Sequence, residues 1–265
     1  MIILGYVLAI LVGVSLGLIG SGGSILTVPI LVYVMGVDPV LATAYSLFIV
    51  GVAALFGGVQ SAFQGRVDFK TVLIFGIPSV LSVFATRAFL VPLIPQHVFS
   101  MFGFEVTKSI LLMLLFAVVM IAASISMIKT EKESGLSGSS NLKYNYPLIL
   151  IEGLVVGILT GLVGAGGGFL IIPALVLLAK MPMKMAVGTS LFIIAAKSLI
   201  GFTGDLKGDE VIDWQLLGIF SLASVIGIFI GILLAKKIPS VKLKKAFGWF
   251  VLVMGVYIIL KELVL

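Results

Sequence analysis

The chain has 265 residues, 61% of them hydrophobic and only 11% charged, with a mean hydropathy of +1.32. Soluble domains carry about a quarter charged residues, so the composition excludes a soluble globular protein and points to an integral membrane protein. With no cysteine and a single histidine, His97, there is no disulfide, thiolate or His-rich metal site and no cofactor is expected, while the net charge of +6 is read as membrane orientation and not as a nucleic-acid partner.

The first apolar run, 2 to 35, opens on "MIILGYVLAILVGVSLG". It lacks the basic n-region and small-residue cleavage site of a signal peptide, so it is read as part of the mature fold. Inside it lies "GLIGSGGSILTVP" at 17 to 29. Further apolar runs follow at 40 to 59, 70 to 93 and 107 to 128. The polar stretch "KTEKESGLSGSSNLKYNYP" at 129 to 147 has the composition of a flexible linker. The second set of runs is 147 to 179, 185 to 203, 214 to 235 and 246 to 260, and the first of these contains "GLVGAGGGFLIIP" at 161 to 173. Several runs reach the ~20 residues that a helix needs to cross a bilayer, and none shows the short alternation of a barrel strand. The expected fold is an all-α integral membrane protein of roughly eight to ten membrane segments. Its expected parts are a first transmembrane repeat at 1–128, a cytoplasmic linker at 129–146 and a second repeat at 147–265.

The repeat is read from an offset of 144, which aligns 17–60 with 161–204 without a gap. Gly17 then meets Gly161, Gly20 meets Gly164, Gly22 and Gly23 meet Gly166 and Gly167, Pro29 meets Pro173, and "SLF" recurs at 46–48 and 190–192. With one-residue slips, "VDF" at 67–69 meets "IDW" at 212–214, and Ile94-Pro95 meets Ile238-Pro239. Each glycine stretch interrupts an apolar run that would form a straight helix ~50 Å long against a ~30 Å hydrocarbon core. If each run were a single crossing, the basic residues of loops and tails would divide 7 against 8 between the two sides. If each run turns back at its glycines, twelve of them, from Arg66 and Lys70 to Lys244 and Lys245, fall on one side and only Lys108, Lys207 and Lys261 on the other. The positive-inside rule favours the second arrangement. It puts the linker in the cytoplasm, both termini outside the inner (plasma) membrane, and the two halves in inverted topology. Whether each broken run is a pair of short spans or a re-entrant hairpin stays open at this stage.

Non-helical backbone at membrane depth is tolerated only where protein or a water-filled cavity covers it. Glycine permits the turn and lets a ligand approach the backbone. The segment after each turn would start a helix whose free N–H groups and positive dipole end suit an anion, and two inverted copies would bring two such ends together near the midplane. The alternative is that the glycines only let helices pack closely. A nucleotide loop is excluded, because neither copy continues as G-K-[ST] or fits G-x-G-x-x-G.

These paired motifs, each followed by "ATAYSLF" or "AVGTSLF" and the second then by "GDLKGDEVIDW", resemble the TauE/SafE sulfite exporter family, also called the TSUP transporters. The resemblance covers nearly the whole chain. It implies transport of a sulfur-containing anion such as sulfite, thiosulfate, sulfoacetate or another organosulfonate, commonly outward.

On this reading the substrate-binding candidates are Ser21, Gly22, Gly23 and Ser24 of the first turn and Gly166, Gly167 and Gly168 of the second, with Tyr45, Ser46, Thr189, Ser190 and Lys197. Lys197 lies seven residues after Ser190, within about 20° on one helix face, and an intramembrane lysine is costly enough to suggest a countercharge for an anion. Ser46 and Ser190 are repeat-related hydroxyls that could donate to a sulfonate, or could back-bond to their own helix. Tyr45 and Thr189 form a second repeat-related pair. Arg87 is read as snorkelling at a membrane edge, and Glu152 and Asp205 as solvated charges at run ends. The expectation is a secondary transporter working by alternating access, with a small anion and the lipid bilayer as partners. An anion channel and a carboxylate transporter are the alternatives. A membrane enzyme is disfavoured, since such enzymes array several His, Asp or Glu inside the bilayer.

Overall fold

The structure, a computed structural model, describes residues 2–20, 23–101, 104–129, 146–177, 181–206, 212–235 and 240–264. In chain order the helices of the first half are α1 (Ile2–Ile19), α2 (Ser24–Val34), α3 (Pro39–Phe63), α4 (Phe69–Leu93) and α5 (Lys108–Lys129). Those of the second half are α6 (Tyr146–Val163), α7 (Gly168–Leu177), α8 (Met183–Asp205), α9 (Trp214–Leu234) and α10 (Ser240–Val264). Among the described residues α3, α4, α5, α8 and α9 are long and apolar enough to cross a bilayer, so the chain is a multi-pass helical membrane protein. Leu73, Ile77 and Leu81 on α4 and Leu222, Ile226 and Leu233 on α9 stay exposed, an apolar surface that lipid covers and water would penalise.

The starts of α3, α4 and α9 carry aspartate caps. Asp38 accepts from the amides of Val40 and Leu41 ahead of Pro39 at the first turn of α3. Asp68 accepts from Lys70 and Thr71 at α4, and Asp213 accepts from Leu216 at α9. A side-chain acceptor at this position satisfies an amide that has no intrahelical partner. At the other end of α3, Gly65 leaves the helix at φ +66°, where glycine carries no Cβ penalty.

In both broken runs the helix after the break is short. α2 is about 16 Å long and α7 about 15 Å, roughly half a hydrocarbon core. Gly5, near the start of α1, lies against Met35, just past the end of α2. The first run therefore comes back to the end from which it set out, as a re-entrant hairpin with one long and one short arm.

Packing between the halves comes in matched sets. α1 packs along α9 and α6 along α4; α3 meets α9 and α8 meets α4; α3 crosses α8, and α5 lies along α10. Exchanging each helix for its repeat partner turns this set of contacts into itself. In the α1–α9 seam, Gly13 and Gly17 face the backbone of Ser224, Ile228 and Gly231, while Gly227 and Gly231 face Ile10 and Val14, with no room for a Cβ on any of the four. The α4–α6 seam sets Gly157 and Gly161 against Ser82 and Thr86. Small residues on both sides let the helices approach closely, so these glycines serve packing.

One element has no counterpart in the repeat. Between α4 and α5 an antiparallel ribbon forms from β1 (His97–Met101) and β2 (Phe104–Thr107), with His97 opposite Thr107 and Ser100 opposite Glu105. α10 begins immediately after Pro239, whereas Pro95 is followed by the ribbon before α5 starts.

Candidate functional site

The second glycine turn is built on left-handed backbone. Gly164, Gly166 and Gly167 have φ of +73°, +62° and +62°, a region that side-chain-bearing residues rarely adopt. Gly164 packs on the backbone of Thr43 in α3. Gly166 is wedged between Val50 at the middle of α3 and Ile194 at the middle of α8, with Ser24, the first residue of α2, also against it. The starts of α2 and α7 therefore meet between α3 and α8; in the first turn of α7 the amides of Leu170 and Ile171 donate to Gly167 O, and those of Gly168 and Phe169 come before the first intrahelical bond. Pointing such an end into the protein interior creates a positive potential there.

Lys197 brings its side-chain nitrogen to the same place. It is 0% exposed, and its Nζ donates to Thr160 Oγ1 at 3.0 Å. A Cβ on Gly167 would fall 2.6 Å from that Nζ, so the ammonium lies directly over the turn. The ion pairs among the described residues do not include Lys197. With one hydroxyl as its partner, the buried amine carries a positive charge only at high cost unless an anion joins it. Thr160, Ala165, Gly167 and Phe169 line a recess against the turn that is too narrow for a water-sized sphere.

The remaining candidates divide. Ser46 lies on the face of α3 between Thr43 and Val50, the two residues that touch the turn, and its buried Oγ has no hydrogen-bond partner. Ser190 instead donates to its own helix at Val187 O, 2.8 Å away. Tyr45 and Thr189 are engaged elsewhere: the amide of Asp213 donates to Tyr45 Oη at 2.7 Å and that of Asp68 donates to Thr189 Oγ1 at 3.0 Å. The two hydroxyls thus hold the N-cap residues of α9 and α4, each in the opposite half. Gly23 sits at φ −62°, an ordinary helical value, and a Cβ there would strike Val12 O and Leu16 N of α1. Among the described residues of the first turn, Gly20 is left-handed, at φ +79°. Ser21 and Gly22 lie outside the described residues.

Two charges read as solvated from the sequence are not. Arg87, expected to snorkel at an edge, is 1% exposed, and its Nη1 donates to Thr43 Oγ1 at 3.0 Å and lies 3.4 Å from Asp205 Oδ1. Asp205 is the last residue of α8, so this ion pair ties the halves together. Its partners are 118 positions apart, and a local pattern cannot expose such a pair. Thr160 escaped notice for the same reason, being 37 residues from Lys197. Among the described residues no group of three or more His, Asp or Glu could hold a metal ion.

The family model described as Sulfite exporter TauE/SafE matches residues 6–258. A probable membrane transporter protein of Xylella fastidiosa (strain Temecula1) is 31% identical over 252 residues, which is 94% of this chain and 91% of the relative. One of Methanocaldococcus jannaschii is 40% identical over 119 residues, 42% of this chain and 43% of its own length. The probable membrane transporter protein YunE of Bacillus subtilis is 29% identical over 243 residues, covering 85% and 84% of the two chains. No solved structure matches the chain.

Proposed function

Because the chain belongs to the sulfite exporter TauE/SafE family and is a membrane transporter, we propose that it carries a small sulfur-containing anion out of the cell by alternating access. Sulfite, thiosulfate, sulfoacetate or another organosulfonate is the substrate on this reading. The observation that carries it is Lys197, a buried ammonium with a threonine hydroxyl as partner, lying over a left-handed glycine turn at the start of α7. An oxyanion there would gain the lysine side chain, the amides of Gly168 and Phe169 at the start of α7 and the unpartnered Ser46 hydroxyl. Its apolar surroundings strengthen each of these contacts.

The two halves, 1–128 and 147–265 about the linker 129–146, act in this reading as inverted repeats in the inner (plasma) membrane, with both termini outside. The matched packing of the helices and the meeting of α2 with α7 support it. Rocking of one half against the other would expose Lys197 to each side in turn.

Proteoliposomes test the substrate. Sulfite flux should saturate, and Lys197→Ala should remove it while the protein still purifies as a monodisperse species; flux of the alanine variant at the wild-type rate would refute the site. Topology is tested separately. Single cysteines at Ser139 and Ser240 should react with a reagent confined to the cytoplasm, and one at Gly208 only from outside. Labelling of Ser139 and Gly208 from the same side would rule out the inverted arrangement.

A further inference from the structure

We propose that Arg87 forms a second oxyanion station, distinct from that at Lys197, in which the open Nε and Nη2 edge of the guanidinium takes the anion and Asp205 competes with it. This rests on the reading above only for the ligand being an anion; the site itself is argued from its own geometry.

Arginine has five N–H donors in a planar fork. At Arg87 both described contacts are made through Nη1, and Nε and Nη2 have no acceptor although the residue is buried. Buried donors are almost always satisfied, and an unsatisfied one is costly. The Nε and Nη2 edge presents two parallel N–H groups, the arrangement that receives two oxygens of a carboxylate, sulfonate or phosphate side-on. Asp205 is under-bonded as well, because Oδ2 has no partner and Oδ1 meets Arg87 at 3.4 Å. An ion pair serving only to lock the fold would be expected to join fork to fork.

Groups from three other helices surround the guanidinium. From α8 comes Asp205, from α3 the Thr43 hydroxyl, and from α5 Lys108, whose charge also acts on Asp205. Between Arg87 and Asp205 both an N–H edge and a carboxylate oxygen stay open. Arg87 stands in the π turn Thr86–Leu90 of α4, a helix irregularity that recurs at functional sites. Gly204 brings α8 into contact with this turn, where a Cβ would lie 3.0 Å from Arg87 Cβ. The two stations share a wall, since Thr43 binds Arg87 and also packs on Gly164 of the second glycine turn. Along α8 they are about 12 Å apart, so an anion leaving Lys197 would be received at Arg87 as Asp205 gives way.

The test uses the purified full-length protein with sulfite as the probe, reading binding by calorimetry and folding by thermal melting. Arg87→Lys keeps the charge and removes the two-donor edge, so sulfite affinity should fall about tenfold. Asp205→Asn removes the competitor, so affinity should rise about threefold or more. A purely structural ion pair predicts lower melting temperatures for both variants and tighter binding for neither. Unchanged or weaker sulfite binding by folded Asp205→Asn would overturn the proposal. Lys197→Ala, measured alongside, separates the two sites. If that variant alone loses binding while Arg87→Lys and Asp205→Asn match wild type, the second station fails and the Lys197 site stands; a wild type that binds none of sulfite, thiosulfate and sulfoacetate overturns both.

Discussion

The two glycine turns share a sequence pattern and differ in what surrounds them. Gly164 packs on Thr43, and Gly20 packs on Val187, the residue matched to Thr43 by the 144-residue offset. Gly167 faces Thr160 and Lys197, whose matched positions in the first half hold Leu16 and Ala53. Arg87 reaches the second turn through Thr43, while its counterparts near Gly231 and Ile232 in α9 carry no charge. Both stretches keep the backbone device that breaks the run, but among the described residues it is the second that buried Lys197 and Arg87 adjoin. A symmetric pair of cationic turns would place two uncompensated charges close together in low dielectric, at a cost that rises steeply as ε falls.

The largest expected effect is at Gly167. In Gly167→Val the new side chain must adopt φ +62° and occupy the space of Thr160 Oγ1 and Lys197 Nζ. Sulfite transport should be abolished, and the folded fraction should not bind sulfite by calorimetry. Gly23→Val is the matched control. Its φ of −62° carries no left-handed strain, but its Cβ meets backbone of α1, so it should lower the yield of folded protein. Equal loss of binding per folded molecule in both variants would mean that the turns are functionally equivalent.

Next is Lys197→Met, which keeps the length of the side chain and removes the charge. Sulfite affinity should fall about tenfold to a hundredfold, the worth of one or two charge-assisted contacts. The melting temperature without anion should rise, because a buried charge without a counterion is replaced by an apolar group. A drop in melting temperature with affinity intact would reassign Lys197 to packing.

How much of this was legible in the sequence follows from the range of each interaction. The apolar runs, the glycine breaks at 17–23 and 161–168 and the repeat offset are all local or periodic, and the sequence displays them directly. Lys197 was legible because an ammonium within an apolar helix is anomalous wherever its neighbours lie. Its bond to Thr160 and the pairing of Arg87 with Asp205 join distant helices, and no spacing rule reports them. The return of α2 toward Gly5 needed the Met35 contact, since run length alone permits a hairpin or two short spans. The ribbon at His97 to Thr107 was hidden because its strands are short and lie where the repeat comparison has no partner.

The smallest effect tests where the halves are alike. Tyr45 and Thr189 occupy matched positions, and each accepts the backbone N–H of the Asp that caps a helix of the other half. The chemistry is conserved between copies even though one acceptor is a phenol and the other an aliphatic hydroxyl, so what the position demands is a buried oxygen at a fixed height. Tyr45→Phe and Thr189→Val keep the shape and remove the acceptor, and each should cost about 1 kcal/mol of stability. Thr189→Val should cost more, because Asp213 is exposed and water can replace the lost partner, whereas Asp68 is partly buried. Thermal melting in detergent measures this, and sulfite affinity should stay within about twofold of wild type. If either variant loses sulfite binding at unchanged stability, that hydroxyl belongs to the anion path and the two halves differ at this position too.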